Sequence, residues 1–378
     1  MSPSVDFQGL SLAELARKTL ADAAGDHPPT FPVIDASVHP RPRVDELREY
    51  LPKVWQGRRL PAGDRYYYPN PLGDSIRESF SDAGPPGSDP ALASRLLFEE
   101  AGVDRAILTP LTLGLLPDGD LLAAICSATN EWLARTWLGE HNPHGRFSGT
   151  IRVTPTRPEA AVAEIEKWAG DPRFVQIGVP LQSLQLYGTS PFFPIWEAAA
   201  RHNLPVLIHA DAETGVELAP TPAGYLRHFL GFAAYNPINF VNHLTSFMVG
   251  GVLDRLPDLR LVFGDGGYDL CVPLMWRVDK DYRPMRPDVP WMKRLPSEYI
   301  GQHVRFIAHS MEGPDDAVLD EWLEMGGAKS TLMFGTNYPS WDFFHPSAAF
   351  AHVEPEGRER ILATNAIELY GLSAREEN

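Results

Sequence analysis

The chain has 378 residues, of which 44% are apolar and 22% charged, and a formal net charge of -16. That composition suits a globular protein with a sizeable buried core. The acidic balance argues against nucleic acid and anionic membrane as partners, since basic faces hold both.

Taken in order, residues 1–30 read as an N-terminal arm with an amphipathic helix over 10–24. The arm lacks the basic and apolar regions of a signal peptide, and no apolar run reaches membrane-spanning length, so a cytoplasmic location is expected. Residues 33–39 read as the first strand: Val33 and Ile34 are β-branched and suit a buried sheet. Asp35, Ser37 and His39 follow at alternate positions and are predicted to share one face. Pro40 and Pro42 then open a loop. Residues 41–94 carry no sustained strand signal and read as an insertion after that strand, placed to act as a lid or binding loop. Its first part is locally basic (Arg41, Arg43, Arg48, Lys53, Arg58, Arg59, Arg65), which suits either a solvated face or anion capture. Tyr66, Tyr67 and Tyr68, with Trp55 and Trp341, offer aromatic walls for an apolar group.

Beyond residue 90 the pattern becomes regular. Strand-like runs at 105–110, 147–153, 174–179, 205–209, 259–263, 304–308 and 331–334 alternate with helical spacing at 92–101, 121–138, 158–168, 194–202, 238–256, 270–282 and 316–325. With residues 33–39 this gives eight strands, hence parallel pairing with crossover helices and a single-domain (β/α)8 TIM barrel over residues 1–378. The competing open doubly wound sheet lacks its Gly-rich phosphate fingerprint here. Cys126 and Cys271 are too few for a disulfide framework or a thiolate zinc site.

Barrel enzymes work at the C-terminal strand ends. Five strands end in chemically capable residues: Ser37 and His39, His209, Asp265, His309, and Asn337 beside Tyr338. Polar side chains recurring at equivalent positions are poorly explained by packing, because unpaired buried polar groups cost about 1–3 kcal/mol each.

The motifs Pro205-Val-Leu-Ile-His209, Gly335-Thr-Asn-Tyr-Pro-Ser-Trp-Asp342, Asn130-Glu-Trp-Leu, Arg146-Phe-Ser-Gly and Pro194-Ile-Trp-Glu197, with the run over 250–267, resemble the amidohydrolase-related family. The branch is the one typified by aminocarboxymuconate-semialdehyde decarboxylase. The resemblance spans about 31–372 and implies a barrel that hydrolyses or decarboxylates small molecules, often as a homodimer. It also implies one divalent metal, held by two residues of strand one, a His of strand five and an Asp of strand eight. Here the strand-one pair is Ser37 and His39, and the strand-eight Asp is Asn337. A hydroxyl and an amide are poor zinc ligands. Strand six, where relatives carry His or Glu, has Asp265.

The expectation is therefore a metal-independent hydrolase with no cofactor and no metal ligand. His39, His209 and Asp265 would be catalytic, with Ser37, Arg41, His243, His309, Asn337 and Tyr338 as substrate contacts. Without a Lewis acid such a site suits an activated acyl bond, in a thioester such as an acyl-CoA, an ester or a lactone. Two alternatives stand beside it: a metal-dependent decarboxylase or hydrolase of a small carboxylic acid, with a divalent metal such as zinc, and an inactive binding protein on the same barrel.

Overall fold

The computed structural model describes residues 19–372, apart from 59, 61–69, 71, 113, 212–223, 225, 226, 310, 312 and 313. Eight parallel strands lie in sequence order: β1 (Ile34–Val38), β2 (Arg105–Leu108), β3 (Phe147–Arg152), β4 (Phe174–Pro180), β5 (Val206–His209), β6 (Leu261–Phe263), β7 (Val304–Ala308) and β8 (Leu332–Phe334). The principal helices are α1 (Val44–Tyr50), α2 (Gly119–Trp132), α3 (Pro158–Trp168), α4 (Phe193–Arg201), α5 (Ile238–Val249), α6 (Tyr268–Met285), α7 (Asp316–Met325) and α8 (Asn365–Tyr370). The ring closes where Val38 bridges to Tyr338 and the His39 N–H donates to the Tyr338 carbonyl at 2.7 Å. This is a (β/α)8 barrel. The unbroken strand order rules out the open doubly wound sheet, whose order reverses at a switch point.

The strands are largely apolar on both faces because both are covered. Outward residues such as Val38, Leu108, Ile177, Ile208, Phe263 and Phe306 join the helices in one large core. Inward, Ile34, Ala36, Ile107, Leu207, Val262, Ile307 and Met333 form a second cluster, plugged from below by Ala366 and Tyr370 of α8. No described helix is long and apolar enough to cross a membrane.

One expectation about β1 is corrected. Ile34 and Ala36 face the lumen, so Asp35 between them turns away from it. Asp35 pairs with Ala106 but Val38 with Leu108, an extra residue on β1 that breaks the alternation. That bulge brings Ser37 and His39 back to the lumen without Asp35, which instead accepts from the Thr336 N–H at 2.9 Å and the Thr336 hydroxyl across the β1–β8 seam.

The inserted segment divides its contacts. Leu47 and Leu51 pack on Leu122 and Ile125 of α2, outside the barrel. Ser75 bridges to Ser340, Ile76 donates to the Pro339 carbonyl at 3.0 Å, and Gly87 accepts from the Arg41 N–H at 2.9 Å, all beside the ends of β1 and β8. Arg59, Arg65 and Tyr66 to Tyr68 lie outside the described residues, as does most of the predicted helix over 10–24.

Candidate active site

Four strand ends meet at one carboxylate. Asp265 stands two residues beyond β6 with φ +68°, a left-handed backbone that Asp tolerates better than most residues. Its Oδ1 accepts from the Ser37 hydroxyl at 2.9 Å and lies 3.2 Å from His309 Nε2, while its Oδ2 contacts His209 Nε2. Ser37 Oγ is also 3.0 Å from His39 Nε2, and the His39 and His209 rings lie 4.5 Å apart. Close approach requires two glycines here. A Cβ on Gly264 would lie 2.5 Å from the His209 ring, and one on Gly335 would lie 2.6 Å from Ser37 Cβ.

Hydrogen bonding assigns the protons. His39 Nδ1 faces the Thr109 carbonyl at 2.9 Å, which only accepts, so this nitrogen carries the hydrogen, and Nε2 is left as a lone pair that competes with Asp265 Oδ1 for the single Ser37 hydroxyl hydrogen. Burial, reinforced by the neighbouring His209, lowers the His39 pKa to about 3 and keeps the ring neutral. His309 has acceptors on both sides: the Gly335 carbonyl at 2.9 Å from Nδ1 and Asp265 beyond Nε2. Only an imidazolium satisfies both. Burial opposes that charge, but Asp265 outweighs it and pushes His309 up to about 9. Burial likewise opposes the Asp265 charge, yet His209 and His309 hold its carboxyl well below the usual range. Neither His209 Nε2 nor His309 Nε2 is aligned for a full hydrogen bond to Asp265, so both ring edges face partly past the carboxylate. One ligand atom each from His39, His209 and Asp265 lie within 4.8 Å of one another, so these three residues could hold a metal.

The remaining sequence candidates divide. Asn337, also left-handed at φ +61°, donates from Nδ2 to Asp342 Oδ1 at 2.7 Å. Arg41 is half-buried beside His39, anchored through its backbone. Two expected substrate contacts are corrected. His243 lies in α5, where Nε2 donates to the Leu181 carbonyl at 2.9 Å, Nδ1 accepts from the Tyr187 N–H at 3.3 Å, and the ring stacks on Tyr187. Both nitrogens are engaged, so its role is to hold the β4 loop. Tyr338 gives the seam its carbonyl, but its side chain is fully buried, and its hydroxyl meets no partner among the described residues. It packs in the core outside the lumen. Of the proposed aromatic walls, Trp55 lies beneath Arg58 and Trp341 meets Phe229 edge-on.

Sequence reasoning missed a buried ion pair. Arg152, the last residue of β3, and Asp211, two residues beyond His209, are both fully buried at the side chain with Arg152 Nη2 2.6 Å from the carboxylate. The Thr112 hydroxyl also contacts Asp211. The available signal was an arginine between Ile151 and Val153, inside a run otherwise buried on both faces. Below it, Thr109, Thr150, Gln176 and the Tyr370 hydroxyl form a hydrogen-bonded chain through the lumen. Because the Thr109 carbonyl holds His39, that chain supports the site from beneath.

Comparison with known proteins follows this geometry. A family profile described as Amidohydrolase matches residues 80–372. A 2-amino-3-carboxymuconate-6-semialdehyde decarboxylase of Dictyostelium discoideum is 28% identical over 204 residues, 52% of this chain and 53% of that protein, so the chain matches about half the length of this relative. An amidohydrolase from Mycobacterium avium subsp. paratuberculosis K-10 superposes with a TM-score of 0.68 at 20% identity, covering 90% of this chain and 100% of that one. A 2,6-dihydroxybenzoate decarboxylase from Rhizobium gives 0.63 at 20% identity, over 90% and 98% of the two chains. At such identity the structural likeness speaks for the fold alone.

Proposed function

The chain belongs to the amidohydrolase family, and from that premise we propose that it is a non-oxidative decarboxylase of a small unsaturated or aromatic carboxylic acid. The observation that carries this reading is the Asp265–His309 pair, a partly buried imidazolium whose Nε2–H points partly past its carboxylate. Decarboxylation of such an acid needs a proton at the carbon that bears the carboxylate. His309 supplies it, and the bond to the carboxylate carbon then breaks. Carbon dioxide leaves, the electron pair of that bond restores the unsaturated system, and solvent reprotonates His309. Asp265 stabilises the imidazolium between turnovers, and neutral His39 offers its lone pair to a substrate hydroxyl. The decarboxylase name of the Dictyostelium discoideum relative supports the same substrate class.

The donor set also fits a divalent cation. Two imidazoles and one carboxylate converge, and His39 Nε2 is already turned inward as a lone pair. Such an ion, held by His39, His209 and Asp265, would act as a Lewis acid on a substrate oxygen.

A second reading rests on the His209–Asp265 contact, which is that of a general base with its orienting acid. In that reading His209 activates water against an ester, lactone or thioester without a metal, and Ser37 Oγ, 3.0 Å from His39 Nε2, is a candidate nucleophile.

The test is a paired assay of purified protein: carbon dioxide release from dihydroxybenzoates and carboxymuconate-type acids, and hydrolysis of activated esters and thioesters, each before and after chelation. Carbon dioxide release supports the first reading. Ester or thioester turnover that persists in chelator, without carbon dioxide release, replaces it with the second.

A further inference from the structure

The Arg152 guanidinium is fully buried, yet its Nε and Nη1 meet no acceptor among the described residues. Its placement is firmly set. Asn130 of α2 grips the Arg152 backbone from both sides, donating to its carbonyl at 2.8 Å and accepting from its N–H at 2.7 Å. Register fixes its height: Arg152 pairs with Gly178, and Gly178 with Leu207. A Cβ at Gly178 would lie 2.5 Å from Arg152 Nη1, so the guanidinium fills the space that a side chain there would take. Starting level with Leu207 and ending on Asp211, the side chain passes the level of His209 on the β4 side of the lumen.

The pairing with Asp211 is incomplete in a specific way. Both carboxylate oxygens lie 2.6 Å from the same nitrogen, Nη2. A guanidinium has two donor edges, Nε with Nη2 and Nη1 with Nη2, and a carboxylate normally takes one of them with two parallel bonds. Asp211 sits on the corner the edges share. A small slide gives Asp211 one full edge and leaves the other for a second carboxylate. Buried donors left unpaired call for an acceptor, and the ionic strand ends beside them are where one would arrive.

We propose that Arg152 is the carboxylate-binding residue of the substrate site, with Asp211 on one edge of its guanidinium and the substrate carboxylate on the other. The assignment rests on the carboxylic-acid reading of the substrate given above. It extends that reading by naming the group that anchors the acid and the side of the lumen from which it does so.

Calorimetric titration with benzoate and its neutral analogue benzamide tests this without turnover. The wild-type protein should bind benzoate at least tenfold tighter than benzamide. Arg152→Gln should abolish that preference. Arg152→Lys, which keeps the charge but not the planar edge, should reduce it at least fivefold. Asp211→Asn removes the competing carboxylate, so it should tighten benzoate binding at least threefold even as it lowers the melting temperature, the opposite of what a purely structural pair predicts. If Arg152→Gln fails to fold, the Lys and Asn variants decide. No wild-type preference, a preference surviving in Arg152→Lys at full strength, or weaker benzoate binding by Asp211→Asn each overturns the assignment. A preference of the expected kind without carbon dioxide release from any acid supports it while removing the decarboxylase reading.

Discussion

The lower and upper halves of the lumen are built from the same strands but hold different chemistry. On β5, Leu207 joins the apolar plug and His209, two residues on, contacts Asp265. On β7, Ile307 lies in the plug and His309 faces the carboxylate. On β1 the change from Ala36 to Ser37 takes one step, because the bulge supplies the other. Below, the side chains contribute area removed from water. Above, they hold charges whose protonation each neighbour sets. The comparison teaches that stability and chemistry are separated by a single inward-facing step along these three strands, so substitutions on either side of that step should fail in different ways.

Asp265→Asn breaks the upper half most severely. It keeps the shape and the left-handed backbone but removes the charge shared by His209 and His309. Turnover should fall by roughly a thousandfold or more, and activity within tenfold of wild type would sink the proposed chemistry. His309→Gln keeps a donor toward the Gly335 carbonyl and loses the imidazolium. It should cost about a hundredfold in kcat with substrate affinity largely retained.

In the lower half the expected pattern reverses. Ile107→Ala should cost about 2–4 kcal/mol in urea denaturation, with kcat of the folded protein almost unchanged. A large loss of kcat there would mean that the two halves are coupled.

Asp35 sharpens the comparison at the seam between β1 and β8. Burial raises its pKa to about 6, against the hydrogen bonds from Thr336 and Ser37. A raised carboxyl pKa means that its contribution is present below the unfolded value of 3.8 and is lost as pH rises through about 6. Measured against Asp35→Asn, wild-type stability should therefore improve by about 2 kcal/mol between pH 7 and pH 4. An unchanged difference across that range would show that Asp35 does not carry the predicted shift. The smallest effect is expected at Arg41, beside His39 but outside the Asp265 cluster. Arg41→Ala should raise KM for an anionic substrate about fivefold and leave kcat alone.

Much of this was legible in the sequence. Each strand was marked by a short apolar run, and the inward strand-end residues Ser37, His39, His209, Asp265 and His309 stood directly after such runs. What escaped depends on contacts between distant segments. The bulge in β1 is a matter of pairing with β2, so strict alternation wrongly put Asp35 beside Ser37. His243 looked like any other histidine near the site until Leu181 and Tyr187 were seen to hold it. Nor did Arg152 and Asp211 signal their pairing, because they are 59 positions apart and meet only when β3 and β5 face one lumen.

The Asn337–Asp342 contact bears on how this barrel could change over evolutionary time. Asp and Asn both tolerate the left-handed backbone at position 337, so Asn337→Asp, which installs the carboxylate that the family resemblance implies there, meets no obstacle from the main chain. The obstacle is electrostatic. Two carboxylates would face each other where an amide now donates across 2.7 Å, and they could coexist only around a shared proton or a cation. The amide lets this corner of the site stand without either, and a one-residue exchange would make it require a shared proton or a cation. The two forms of the pocket are thus one exchange apart, separated by a change in what it must contain.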